Sequence, residues 1–174
     1  MLEKPTGMPK RSRAAALSRM AIIVASLGMA LVAYFGLFGT PLVDAVSRWT
    51  ASSTAQVLNL FGASVSTSGT VVGSSSFAYR IVAECTAIGP AILFAGAVLA
   101  YPATLKSKLL GIGVGVVFLT SLNLVRLVSR FYIGAVFPEY LPMAHFLVWQ
   151  AVIIISAIVA WLFWAERFAR SSYA

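Results

Sequence analysis

The chain has 174 residues, 60% of them hydrophobic, with a mean hydropathy of +0.90. So little polar sequence cannot coat a water-soluble core, which excludes an ordinary soluble domain and points to the membrane. A formal charge of +8 would suit nucleic acid, but the basic residues flank apolar runs instead of forming a stripe interleaved with aromatics, so no nucleic-acid partner is expected.

In chain order, residues 1–19 carry Lys4, Lys10, Arg11, Arg13 and Arg19 against Glu3 and read as a poorly ordered cytoplasmic tail. Met20 to Phe38 is an uncharged run of 19 residues, long enough to cross a hydrocarbon layer of about 30 Å. Phe38-Gly39-Thr40-Pro41 does not match a signal-peptide cleavage site, so 20–39 is expected to stay as a first span. Residues 40–84 are expected outside the cytoplasm. Within them Leu42, Val46, Trp49, Val57, Leu60 and Phe61 recur at helical spacing, predicting an amphipathic helix lying on the membrane surface. Ser64 to Ser76, with turn points at Gly69 and Gly73, and the alternation in Phe77-Ala-Tyr79-Arg-Ile81 predict a small β-hairpin.

A second span is expected over 85–101, although its apolar part, Thr86 to Tyr101, is only 16 residues long. A basic loop, 102–108, leads to a third span, 109–130. Its Gly111-Ile-Gly113-Val-Gly115 has no preceding strand and no acidic ribose partner, so these glycines read as close helix packing. A loop over 131–144, a fourth span over 145–165 and a tail over 166–174 complete the chain. The expected fold is a single mainly α membrane domain, a polytopic bundle of about four transmembrane helices with an extracytoplasmic amphipathic helix and hairpin. Four spans put nine of the 13 basic residues on one side, which marks that side as cytoplasmic.

This topology brings three chemically expensive residues to the extracytoplasmic end. Cys85 is the only cysteine, so it has no partner for an internal disulfide and is either inert filling or a nucleophile. Its expected place near a helix start, with Arg126 and a protonated His145 nearby, would favour the thiolate. Arg126 sits in Leu122-Asn123-Leu-Val-Arg126, and a guanidinium at mid-bilayer costs at least about 2.5 kcal/mol. Thr120, Asn123 and Arg126 share a helix face, which suits a polar ridge turned into a bundle, whereas Arg130 one turn on reads as snorkelling to the interface. His145, the only histidine, opens the fourth span and is equally compatible with a residue at the water boundary. Together, Cys85, His145 and Arg126 supply a nucleophile, a proton carrier and a fixed positive charge for an oxyanion, the minimum for acyl transfer through a thioester. No cofactor and no metal is called for.

Glu84-Cys85-Thr86, then Asn123-Leu-Val-Arg126 late in the next span, then His145 at the head of the following one resembles the exosortase/archaeosortase family, over about Phe77 to Trp164. The short chain is most similar to the exosortase H type. The resemblance implies a membrane cysteine transpeptidase that cleaves C-terminal PEP-CTERM-like sorting signals of exported proteins and passes the acyl group to a lipid or other envelope acceptor. It implies Cys85, Arg126 and His145 as catalytic residues, Asn123 as the residue orienting Arg126, and Glu84 and Thr86 as supporting or substrate-binding residues. It also implies a multi-pass protein of the cytoplasmic (inner) membrane with its site facing outward. The family often has Gly two residues after the cysteine, where this chain has Ala87. The reading from a different class is a non-catalytic helical membrane subunit or assembly factor.

Overall fold

The structure is a computed structural model that describes residues 10–169; the expected tail segments 1–9 and 170–174 lie outside the described residues. Residues 10–19 are not irregular, as expected, but form the first turns of α1 (Lys10–Leu37). The reason is local: Arg13-Ala-Ala-Ala-Leu17 consists of strong helix formers and runs into the apolar stretch with no Gly or Pro to interrupt it before Gly28.

Three segments are long and apolar enough to cross a membrane: Met20–Leu37 in α1, Leu105–Val136 and Trp149–Ala169. The chain is thus a multi-pass membrane protein by length and composition. The second expected span, 85–101, is a short apolar helix, α3 (Ile88–Ala100), of 13 residues, or about 20 Å at the usual helical rise. Its length is set from both ends. Thr86 Oγ1 accepts the Ile88 N–H at 3.4 Å and closes the start, and Tyr101, held extended (φ −78°, ψ 139°) ahead of Pro102, closes the finish. Small residues let this helix lie close to α1: a methyl at Gly89 would meet the Tyr34 ring at 2.9 Å, and one at Gly96 would meet Ala30 Cβ at 2.8 Å.

The longest element, α4 (Leu105–Val136), is 32 residues, about 48 Å, so it overshoots the expected 109–130 at both ends. Three of its four glycines are packing positions, with Gly111 against the Trp164 ring, Gly115 against Phe94 and Gly134 against Phe77, while Gly113 faces open space. After a 3-10 turn (Pro138–Tyr140) and a short α5 (Leu141–Met143), a π-helical turn (Ala144–Val148) carries the chain into α6 (Trp149–Trp164). The fourth expected span therefore starts at Trp149, with His145 ahead of it.

The predicted amphipathic helix is present as α2 (Pro41–Leu60), and a second face, of smaller residues, packs it on the protein. The buried face is made of Val43, Ser47, Thr50, Ala51, Thr54, Ala55 and Leu58, and it packs on α4 and the sheet. The stripe singled out from periodicity points away: Leu42, Trp49, Leu60 and Phe61 are all exposed. In a membrane this is the sensible arrangement, because lipid tails receive large apolar side chains as well as a protein core does, and small residues let helices approach.

The hairpin grows by one strand into a three-stranded antiparallel sheet, β1 (Ser66–Ser68), β2 (Val71–Gly73) and β3 (Ala78–Arg80), in the order β1-β2-β3. Gly69 turns the first corner at φ +62°. Gly73 is not a turn but a paired strand residue, where a Cβ would stand 2.5 Å from Ala78 Cβ. One core cluster joins this sheet to α2 and α4 through Leu58, Val72, Tyr79, Ile81, Cys85, Leu127 and Phe131. A second, towards the opposite end of α4, gathers Phe94, Val98, Leu119, Trp164, Ala165 and Ala169.

Candidate active site

Cys85 is set by the segment between β3 and α3. The chain leaves the sheet with Ile81 N–H bonded to Thr70 O at 2.8 Å and turns through a 3-10 step, Ala83–Cys85, in which Cys85 N–H donates to Val82 O at 2.8 Å. Thr86 then locks the step, donating from Oγ1 to Ala83 O at 2.7 Å. Cys85 therefore precedes α3 by three residues and lies outside its first turn. Ala87, where the resembling family often has Gly, has φ −80° and ψ 2°, a conformation open to alanine without strain.

The positive group at the sulfur is Arg130. Its Nη1 donates to Cys85 Sγ at 3.2 Å, which corrects the snorkelling expected of it. Tyr79 holds it there: the Arg130 guanidinium carbon lies 5.1 Å from the centroid of the Tyr79 ring, and Tyr79 OH donates to Leu127 O at 2.9 Å. Burial pushes the Tyr79 phenol above its ordinary pKa, so the ring stays a neutral donor at any physiological pH. The two positions are 45 residues from cysteine to arginine, and the only sequence signal available was a second arginine one helical turn beyond the first.

Asn123 is buried and points to the cysteine backbone, donating from Nδ2 to Cys85 O at 2.8 Å. It fixes the nucleophile's segment and does not orient Arg126 as expected. Cys85 O can only accept, so the amide nitrogen must face it and Oδ1 must be the free end; Oδ1 is indeed buried without a partner. Arg126, 5% exposed, faces His145 instead, with Nη2 at 3.4 Å from Nδ1 and 3.5 Å from Nε2. A guanidinium can only donate, so the ring nitrogen it meets is unprotonated. Partial burial, with the charges of Arg130 and Arg126 added, pushes the His145 pKa down to about 4, so the imidazole is neutral at pH 7 and not the cation expected from sequence.

Glu84 is exposed, and no hydrogen bond or ion pair joins its carboxylate to Cys85 among the described residues. Thr86 is buried and its hydroxyl is spent on the backbone on either side. Cys85, Asn123, Arg126, Arg130 and His145 thus form one polar end of the bundle, drawn from three elements of the chain. No cluster of metal-ligand residues is found among the described residues.

The chain matches no family model, no curated protein and no solved structure.

Proposed function

We propose that the protein is a membrane cysteine transpeptidase of the exosortase/archaeosortase kind, acting on exported proteins that end in a short motif, an apolar span and a basic tail. The observation that carries this reading is Cys85 Sγ held by a guanidinium at 3.2 Å in a buried site whose other cation, Arg126, contacts a neutral imidazole. A lone structural cysteine has no use for either group.

The chemistry follows from the roles available. Neutral His145 takes the Cys85 proton; the sulfur attacks the scissile carbonyl, forming a C–S bond and an oxyanion that Arg126 stabilises. Collapse of the tetrahedral adduct breaks the C–N bond, and the imidazolium returns its proton to the leaving amine. His145 then deprotonates the acceptor, a lipid or other envelope nucleophile or water, which attacks the thioester and releases Cys85 as thiol. The site faces the extracytoplasmic side of the cytoplasmic membrane in this reading, from the distribution of nine basic residues on the other side.

Co-expression with a candidate tailed substrate tests it: the substrate should lose its tail mass with Cys85 intact and keep it with Cys85→Ala. Reporter fusions at Ser75 and Glu139 should read outside, and one at Ser107 inside. The competing reading is a non-catalytic subunit in which a partner's carboxylate meets Arg126 and Arg130, whose Nε atoms are buried without partners. Cleavage that ignores Cys85, or none with any tailed protein, favours that reading.

A further inference from the structure

Beside the site, α2, α3 and α4 enclose a cleft of about 200 Å³. Val46 and Trp49 form its α2 wall, Ala91 its α3 wall and Thr120 its α4 wall, and Asn123 lines its site end. The lining is apolar except for a few hydroxyls and one amide. A cavity near 150 Å³ holds a benzene molecule, so this one has room for a single large apolar side chain with its neighbouring amide.

The amide of Asn123 gives the cleft a chemical preference. Asn123 is 3% exposed, its Nδ2 is committed to Cys85 O, and its Oδ1 is buried with no donor. An orphaned buried acceptor is destabilising unless something satisfies it. What enters must therefore bring an N–H or O–H into a mostly apolar cleft. A hydrocarbon chain of a lipid fits the walls and leaves Oδ1 unmet. An extended peptide offers an N–H at every residue and an apolar side chain beside it. Because Asn123 itself holds the Cys85 carbonyl, a peptide bonded to Oδ1 lies next to the nucleophile.

We propose that this cleft is a specificity subsite for the peptide substrate, taking one large apolar side chain beside the scissile bond, with the adjoining main-chain N–H donated to Asn123 Oδ1. The proposal rests on the transpeptidase reading and adds the residue that the site selects. It also gives Asn123 two tasks through its two amide ends, one towards the enzyme's own backbone and one towards the substrate.

The test uses full-length protein in detergent and electrophiles that alkylate Cys85 without any substrate turnover, the sulfur displacing halide to leave a thioether. Iodoacetamide reports whether Cys85 is reactive. N-acetyl-leucine chloromethyl ketone adds an apolar side chain and an amide N–H. The expected result is that the leucine reagent reacts at least about tenfold faster than the glycine analogue, the scale on which apolar pockets discriminate. N-methylation of its amide should remove most of that preference, and a chloromethyl ketone on a plain alkyl chain should not show it. Filling the cleft from either wall, by Ala91→Phe or by Val46→Phe, should abolish the leucine preference while the iodoacetamide rate and the unfolding temperature stay near the parent's. Equal rates for the leucine and glycine reagents with normal iodoacetamide reactivity overturn the subsite alone. Preference for the plain alkyl reagent overturns it in favour of a lipid chain. No alkylation of Cys85 by iodoacetamide in folded protein strikes at the transpeptidase reading itself.

Discussion

The two core clusters at opposite ends of α4 differ in how they treat polar groups. At the Trp164 end, polar atoms close on one another: Trp164 Nε1 donates to Ser107 O at 3.0 Å and Ser107 Oγ donates to Phe168 O at 3.1 Å. One indole, Trp161, leaves its N–H without a partner there. At the Cys85 end, three buried polar atoms lack partners, Asn123 Oδ1, Arg126 Nε and Arg130 Nε, and two guanidiniums have no carboxylate beside them among the described residues. Burying unpaired charge and unmet acceptors destabilises a fold. The first end satisfies most of its polar atoms internally, and the second leaves more of its bonding capacity unused among the described residues.

Substitutions at the two ends should therefore separate stability from chemistry. The largest effect is expected from Cys85→Ala, which should reduce release of a substrate tail by more than about 10³-fold while leaving the unfolding temperature close to the parent's. Retained cleavage would erase the distinction between the two ends. Next, Arg126→Lys should lose about 10² to 10³ in rate, as for removal of an oxyanion donor, because an ammonium cannot hold the planar, fixed pair of bonds that a guanidinium can. Near-normal turnover with lysine would reduce Arg126 to a generic charge.

A matched pair sharpens the comparison further. Tyr79→Phe and Trp164→Phe each delete one buried donor to a backbone carbonyl, and each should cost about 1 to 2 kcal/mol of stability. Only Tyr79→Phe, which frees the ring that holds Arg130 on the sulfur, should also change the rate of Cys85 alkylation. Equal alkylation rates in the two variants would show that Tyr79 does no more than Trp164.

The smallest expected effect is a pH dependence of stability from His145. Its pKa is about 4 in the folded protein against about 6.5 unfolded, so the unfolded chain binds more protons between those values. Stability should then fall as pH drops from 6.5 towards 4, and His145→Gln should flatten that slope. Unfolding midpoints in detergent across pH 4 to 7 measure it, and an unchanged slope in the variant would mean that His145 is not the group responsible.

Much of this was open to sequence reading because it follows from local chemistry. The apolar run at Met20, the glycines at Gly111 and Gly115 and the period of Leu42 to Phe61 each report a property of neighbours along one helix, and each reappears in the structure. What periodicity could not say is which face of α2 turns inward, since lipid and protein both accept Leu42 and Trp49. The arginines show the same limit more sharply. Sequence separated Arg126 from Arg130 by position along α4 and took the more deeply placed one for the sulfur's neighbour.

By itself the sequence determined a membrane-embedded chain, its apolar runs, and the short list of polar residues too costly to bury idly, because composition and transfer energies act residue by residue. Only the tertiary structure decided the pairings within that list: Arg130 with Cys85 Sγ, Arg126 with His145, and Asn123 with the Cys85 carbonyl. The reason is geometric. Hydrogen bonds select partners over a few tenths of an ångström, and the register of β3, the 3-10 step at Ala83–Cys85 and the π-helical turn at Ala144–Val148 set those distances between segments far apart in the chain.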